Sequence, residues 1–458
     1  MNRSISLLCS VLGLVLVACP EPPANDAAAA HDAAVADSAG HDAAIADAAG
    51  HDAAQPDSAG IDGGVPILLR PSTNEISCSH SHASATLDDL QWWGAALLAN
   101  NGTFYLARGV GDYYAADLEF STITAAGALG SMTPIVDLTT TSAKQPSMVE
   151  DGANFAVAWS ESDTNAGTAK VRFARVGNAG QQITAPHDVN GTSDGLVTAP
   201  LLFKTGSGFA LFWSSSTDGS SGALKFLTLD GTGNAVGQPV TIYSETDGAL
   251  QSSTAIAITG GYAVAFSSGP WGAQLVKFVT VDAAGNKNFT EKPISSSGFA
   301  GESPTLIDDG GDYLAAWSEY FSDGNGMDGV AWRVVKVAHL DGEGNLVGPS
   351  QLLQPSPTLT TDETPLLFDL GTDVALAWSH GTFTLVCAGC MPDNKIQLVV
   401  LDRATLSPKS NLAEIVNTDM YGGLTRPVIA RQGMDFLAVY DITLHVSAYP
   451  GTGAIHCQ

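Results

Sequence analysis

Cations are scarce in this chain. Lysine and arginine together number 19, against 47 aspartates and glutamates in 458 residues, for a formal net charge of −28. Nucleic acid and anionic membrane surfaces both need basic patches, so neither is an expected partner. Charge of either sign is thin, at 14% of residues, and aromatics stand at 7%. No apolar run is long enough to span a bilayer; the run at residues 5–18 has the length of a signal-peptide core instead. The HExxH metal-site motif and the phosphate-binding P-loop are also absent. What remains is 45% hydrophobic and holds 49 glycines, a composition suited to many short buried strands joined by tight turns.

Arg3 precedes the apolar run, which ends in Leu16-Val17-Ala18-Cys19. This ending resembles a bacterial lipobox. The resemblance implies a signal peptide over 1–18 and a lipid on Cys19. Residue 20 is Pro rather than Asp, which in lipoproteins of this type implies the outer membrane rather than retention at the inner one. The lipid anchor makes the membrane an expected partner. Residues 19–63 form a second region. Its core is three copies of a ten-residue unit, HDAAVADSAG, HDAAIADAAG and HDAAQPDSAG. It has nine acidic residues, no Lys, Arg or aromatic, and almost no large apolar side chain. It cannot offset the entropy of ordering and reads as a disordered acidic tether.

From residue 64 a short apolar strand recurs: FAVAWS (155–160), FALFWS (209–214), YAVAFS (262–267), YLAAWS (313–318), VALAWS (374–379) and FLAVYD (436–441), with FYLARG (104–109) as a looser first copy. In FAVAWS the large residues Phe155, Val157 and Trp159 alternate with Ala156 and Ala158, so the strand shows bulk on one face and alanine on the other. Turn segments such as LDGTGN (229–234), VDAAGN (281–286) and LDGEGN (340–345) follow the copies, and segments such as ESPTLIDDG and ETPLLFDLG precede them. Each unit reads as four antiparallel strands, a to d. Units begin near 90, 145, 198, 253, 303, 364 and 426. The pattern predicts an all-β fold, a seven-bladed β-propeller over 64–458. The last unit is one strand short. GVPILLR (64–70) resembles a strand d and is expected to complete that last blade and close the ring, removing an exposed edge.

Four cysteines lie in the repeat region. Cys387 and Cys390, in CAGC, and Cys78 and Cys457, near the two ends, are expected to form disulfides in an exported domain. Redox chemistry at CAGC would need a helix N-terminus, which nothing here supplies. Ligand-binding candidates fall in the loops joining strands b and c. Trp271, Glu319, Tyr320 and Phe321 bring aromatic rings and a carboxylate to one face, a combination suited to sugar or peptide. Asp323, Asn325 and Asp328 alternate in a Gly-rich loop, a partial fit to a Ca²⁺ site, the one cofactor the sequence suggests. No catalytic constellation emerges.

Lipobox, Asp/Ala-rich tether and repeat units together resemble the tethered β-propeller lipoproteins of Gram-negative bacteria. The resemblance implies a location in the cell envelope and a fold, and carries no activity. The expectation from sequence is a monomeric, non-catalytic binding or scaffold module that recognises a glycan or an envelope protein through one face. The alternative is a glycan-active hydrolase or lyase with carboxylates at the channel mouth.

Overall fold

The computed structural model describes residues 65–67, 76–83, 92–111, 115–125, 128–163, 167–189, 196–216, 221–297, 299–322, 331–353, 360–382, 393–416, 423–444 and 447–458. The expected lipidation site Cys19, the signal and tether segments, Cys387, Cys390, and the Asp323, Asn325, Asp328 loop lie outside the described residues. Among the described residues every regular element is a β-strand.

The strands pair antiparallel in fours. The first sheet is Trp92–Asn100, Thr103–Gly111, Ala116–Thr124 and Thr133–Val136. The second is Ser142–Asp151, Asn154–Asp163, Thr168–Gly177 and Gln182–Asp188. The third runs from Leu196–Lys204 to Ala235–Glu245, the fourth from Ala249–Ile258 to Lys292–Pro293. The fifth runs from Ala300–Asp309 to Gln351–Leu353, the sixth from Thr360–Asp369 to Ala413–Val416. A seventh joins Gly423–Gln432, Asp435–Leu444 and Ser447–Cys457 to an N-terminal strand, Cys78–Ala83.

That last pairing corrects one expectation. The strand completing the seventh sheet is Cys78–Ala83, and the 64–70 segment does not take that place. Val65–Ile67 instead lies parallel to Gln351–Leu353 at the edge of the fifth sheet. Long-range bonds decide the matter. Cys78 is disulfide-bonded to Cys457 directly opposite, with Cα atoms 4.1 Å apart. Asn411, from the sixth sheet's turn region, accepts from the Cys78 amide at 2.8 Å and donates to its carbonyl at 3.0 Å.

The b strands are the core, as their alternation requires. Trp159, Trp213, Phe266, Trp317 and Trp378 are at most 1% exposed. Neighbouring sheets share apolar clusters. Ala156 and Ala158 of the second sheet pack with Phe209 and Trp213 of the third. Ala375 and Ala377 of the sixth pack with Phe436 of the seventh. Leu97 and Leu106 of the first pack with Leu437 and Val439 of the seventh.

Two features recur that the sequence reading missed. In the c–d turns the carboxylates of Asp230, Asp282 and Asp341 each accept the amide two residues on and that of the following Asn, at 2.8–3.0 Å. The turn's glycine then docks on a phenylalanine of the preceding sheet. A Cβ on Gly285 would lie 2.4 Å from Phe226, and one on Gly233 would lie 2.1 Å from Phe173. Only a residue without Cβ fits there, and φ of +83° at Gly285 adds the same demand. The second feature is a register shift in every a strand. Gln145, Ala199, Ser303 and Thr364 adopt positive φ immediately before a proline. Their side chains and neighbours stitch adjacent sheets. The Ala199 amide donates to Gln145 Oε1 at 2.8 Å, and the Ser303 amide to Ser252 Oγ at 3.0 Å. Such bulges re-aim the residues beside them.

Candidate functional site

The residue just before each bulge is aligned from sheet to sheet. In the second, fifth and sixth sheets it is Lys144, Glu302 and Glu363. All three lie in the half of strand a that leads from the d–a connection, the end of the sheets that also carries the b–c loops. Glu302 and Glu363 belong to neighbouring sheets and meet on one guanidinium. Arg333, on strand c of the fifth sheet, places Nη2 3.6 Å from Glu302 Oε2 and hydrogen-bonds Glu363 through Nη1. Tyr320, directly opposite Arg333 on strand b, holds its ring 5.4 Å below the guanidinium. Burial pushes the Glu302 carboxyl above its ordinary range; Arg333 pulls it down and the negative Glu363 pushes it further up. Burial also lowers the Lys144 ammonium.

The four predicted binding residues fare differently. Trp271 stands at the tip of the 270–274 turn, 85% exposed. The turn is held by the Ala273 amide donating to the Pro270 carbonyl and the Gly272 amide to Gln274 Oε1, both at 3.0 Å. Tyr320 is half-buried beneath Arg333. Phe321 lies in a described strand, but its side chain is outside the described set. Glu319 is not on a binding face. It is fully buried, 2.9 Å from the equally buried Lys336, and its Oε1 accepts from Trp317 Nε1 at 2.8 Å and from the Ser296 amide at 3.2 Å. Strand alternation turns it inward while its neighbour Tyr320 turns out.

Further acids on the same ends of the sheets are paired in the same manner. Glu161 accepts from Thr141 Oγ1 at 3.2 Å and lies 3.4 Å from Arg172, which also binds Asp188. Glu245 lies 3.7 Å from Lys277 and accepts from Tyr243 at 2.7 Å. Among the described residues no three His, Cys, Asp or Glu side chains are grouped to hold a metal.

The pair missed by sequence reading is Glu302 with Glu363. A signal was present: both precede the same landmark, in GESP and DETP. The partner Arg333 comes from another strand, so only the pairing register shows what the two acids share. Chemically, the arrangement sets two carboxyls of neighbouring sheets on one guanidinium, with burial raising the proton affinity of Glu302.

No family model matches the chain, and no curated protein matches it either. Solved structures do. A thermostable family-43 glycoside hydrolase matches at 15% identity and a TM-score of 0.38, over 60% of this chain and 99% of its own. The α-L-arabinofuranosidase Arb93A from Fusarium graminearum matches at 14% identity and 0.44, over 72% of this chain and 98% of its own. The polysaccharide lyase Uly1 matches at 7% identity and 0.48, over 79% and 90%. Likeness at these identities and scores is too slight to carry an activity across.

Proposed function

We propose that the protein is a glycan-active hydrolase or lyase working at the mouth between the fifth and sixth sheets. The observation that carries this reading is the Glu302–Arg333–Glu363 group, in which burial raises the proton affinity of one of two neighbouring carboxyls. In a hydrolase, the Glu302 carboxyl donates its proton to the leaving glycosidic oxygen. Glu363 then takes a proton from the attacking water or itself attacks the anomeric carbon. Arg333 fixes both acids and is fixed in turn by Tyr320. In this reading the seven sheets are the blades of a closed propeller, supported by the core shared between the first and seventh sheets and by the Cys78–Cys457 bond. The chain is lipid-anchored at Cys19, and the acidic segment 19–63 holds the propeller off the outer membrane.

A second reading keeps the glycan and removes the chemistry. Trp271, 85% exposed on a hydrogen-bonded turn, is a flat apolar surface of the kind that stacks on sugar rings. The experiment that separates the two is a panel of plant, bacterial and host polysaccharides incubated with purified protein. New reducing ends mark a hydrolase, and new absorbance from unsaturated uronates marks a lyase. Retention without either product supports the non-catalytic module. A panel that is neither bound nor cleaved contradicts both.

A further inference from the structure

At the opposite end of the sheets, where the a–b and c–d turns lie, a cavity of about 460 Å³ opens between the fifth and sixth sheets. It sits where the docking pattern between sheets is broken. In the third, fourth and fifth sheets a turn glycine lies on a phenylalanine of the sheet before it. Here the phenylalanine is replaced by Val337, at the same register position after the cation Lys336. The glycine is replaced by Leu406, which holds φ of +55° with its side chain 1% exposed in the cluster that contains Val337. A leucine at positive φ is a strained conformation, and strain of this kind persists only where the surroundings impose it. The exchange removes a ring, and the cavity opens beside it.

The lining is mixed. Val347, 56% exposed, and Leu406 give it apolar walls. Asp309, Asp312, His339 and Gln351 supply the polar part. Asp309 binds Arg403 through Oδ1 at 2.9 Å, while its Oδ2 lies 3.8 Å from His339 Nδ1. His339 Nε2 is buried and has no hydrogen-bond partner among the described residues. Asp312 has no cation beside it among the described residues. The chain's net charge of −28 concentrates small cations around it.

We propose that this cleft binds a small organic ammonium ion, its charged end against Asp309 and Asp312 and its apolar body against Val347 and Leu406. An anion would face the Asp312 carboxylate, beside an Asp309 that Arg403 already pairs. A neutral polyol would leave the apolar walls uncovered. The site is separate from the Glu302–Glu363 mouth, and its occupancy does not depend on the glycan reading.

The test is calorimetric titration of the purified chain with benzylamine, alongside benzyl alcohol and benzoate as neutral and anionic counterparts of the same size. Benzylamine is expected to bind saturably, with the other two weaker by roughly tenfold or more, about 1.4 kcal/mol. Asp312→Asn, at an exposed position, is expected to weaken benzylamine roughly tenfold. Ala404→Trp, which fills the cleft mouth from the sixth sheet's turn, is expected to abolish binding. Circular dichroism establishes that each variant is folded, and Asp312→Asn alone decides if Ala404→Trp is not. Equal binding of the three probes, no saturable binding of benzylamine, or wild-type affinity in a folded Asp312→Asn variant would overturn the proposal.

Discussion

Glu319 and Lys336 are each fully buried and each is the other's counter-charge. Removing one member leaves an uncompensated charge in the interior. Lys336→Met is therefore expected to lower unfolding stability by about 3–5 kcal/mol, while the double replacement Glu319→Leu with Lys336→Met recovers part of that loss, the rest being the Trp317 and Ser296 donors left without Glu319. Urea denaturation of the three proteins checks it, and equal losses for the single and double variants would contradict it. Sequence reading saw Glu319 beside two aromatics and put it on a surface. The fact it lacked was the register that sets Trp317 opposite Lys336. The same register sets Trp159 opposite Arg172, which lies 3.4 Å from Glu161, so a cation on strand c opposite the strand-b Trp was a readable signal of a polar pair there. Glycines make a second contrast. Gly285→Ala brings a Cβ 2.4 Å from Phe226, whereas Gly310→Ala meets nothing within 4 Å, and both positions have positive φ. Gly310→Ala is expected to cost about 1–2 kcal/mol for its backbone alone. Gly285→Ala is expected to cost about 1–3 kcal/mol more, for the forced repacking. Thermal melts that show the two equally stable would refute the docking contact.

At the scale of the element, the c–d turns are held by ionised aspartates. Hydrogen bonds from the Thr232 side chain and the Asn234 amide bring Asp230 from an ordinary 3.8 down to about 2. Asp282 and Asp341 are lowered as well, first by the side chains of Asn286 and Asn345. A depressed carboxylate stabilises the fold above its unfolded pKa, and that contribution is lost as pH falls through the folded one. Stability is thus expected to be flat from neutral pH to about 5 with respect to these groups, then to fall toward pH 2. Asp230→Asn should flatten part of that acid limb in pH-dependent denaturation, and an unchanged limb would contradict the assignment. Strands of this kind were legible because bulk and alanine alternate along them. The completing strand was not. The 64–70 segment is apolar and looks like a strand, whereas CSHSHA is polar and does not. What places Cys78–Ala83 on the seventh sheet is a cysteine and an asparagine distant in sequence, which no local pattern reports.

For the whole molecule, the first and seventh sheets share a core, and a disulfide spanning 379 residues ties the N-terminal strand to the last one. Cys78→Ser is expected to lower stability by about 2–5 kcal/mol, read by urea denaturation under oxidising conditions. A variant as stable as the parent would show that the strand pairing alone holds Cys78–Ala83 on the seventh sheet. The candidate mouth follows from the same arrangement. Glu302 and Glu363 come from different sheets, and their meeting on Arg333 depends on neighbouring sheets keeping their a strands in step. The lipobox-like ending at Cys19 and the Asp/Ala-rich segment bear only on the expected address and say nothing of this pairing. The most direct measurement is the turnover of a cleaved polysaccharide by wild-type protein, Glu302→Gln and Glu363→Gln, each confirmed as folded. Loss of roughly 10²–10⁴-fold in rate for Glu302→Gln, with glycan retention preserved, is the predicted result for a lost proton donor. Turnover unchanged by both substitutions would contradict the assignment of catalysis to this mouth.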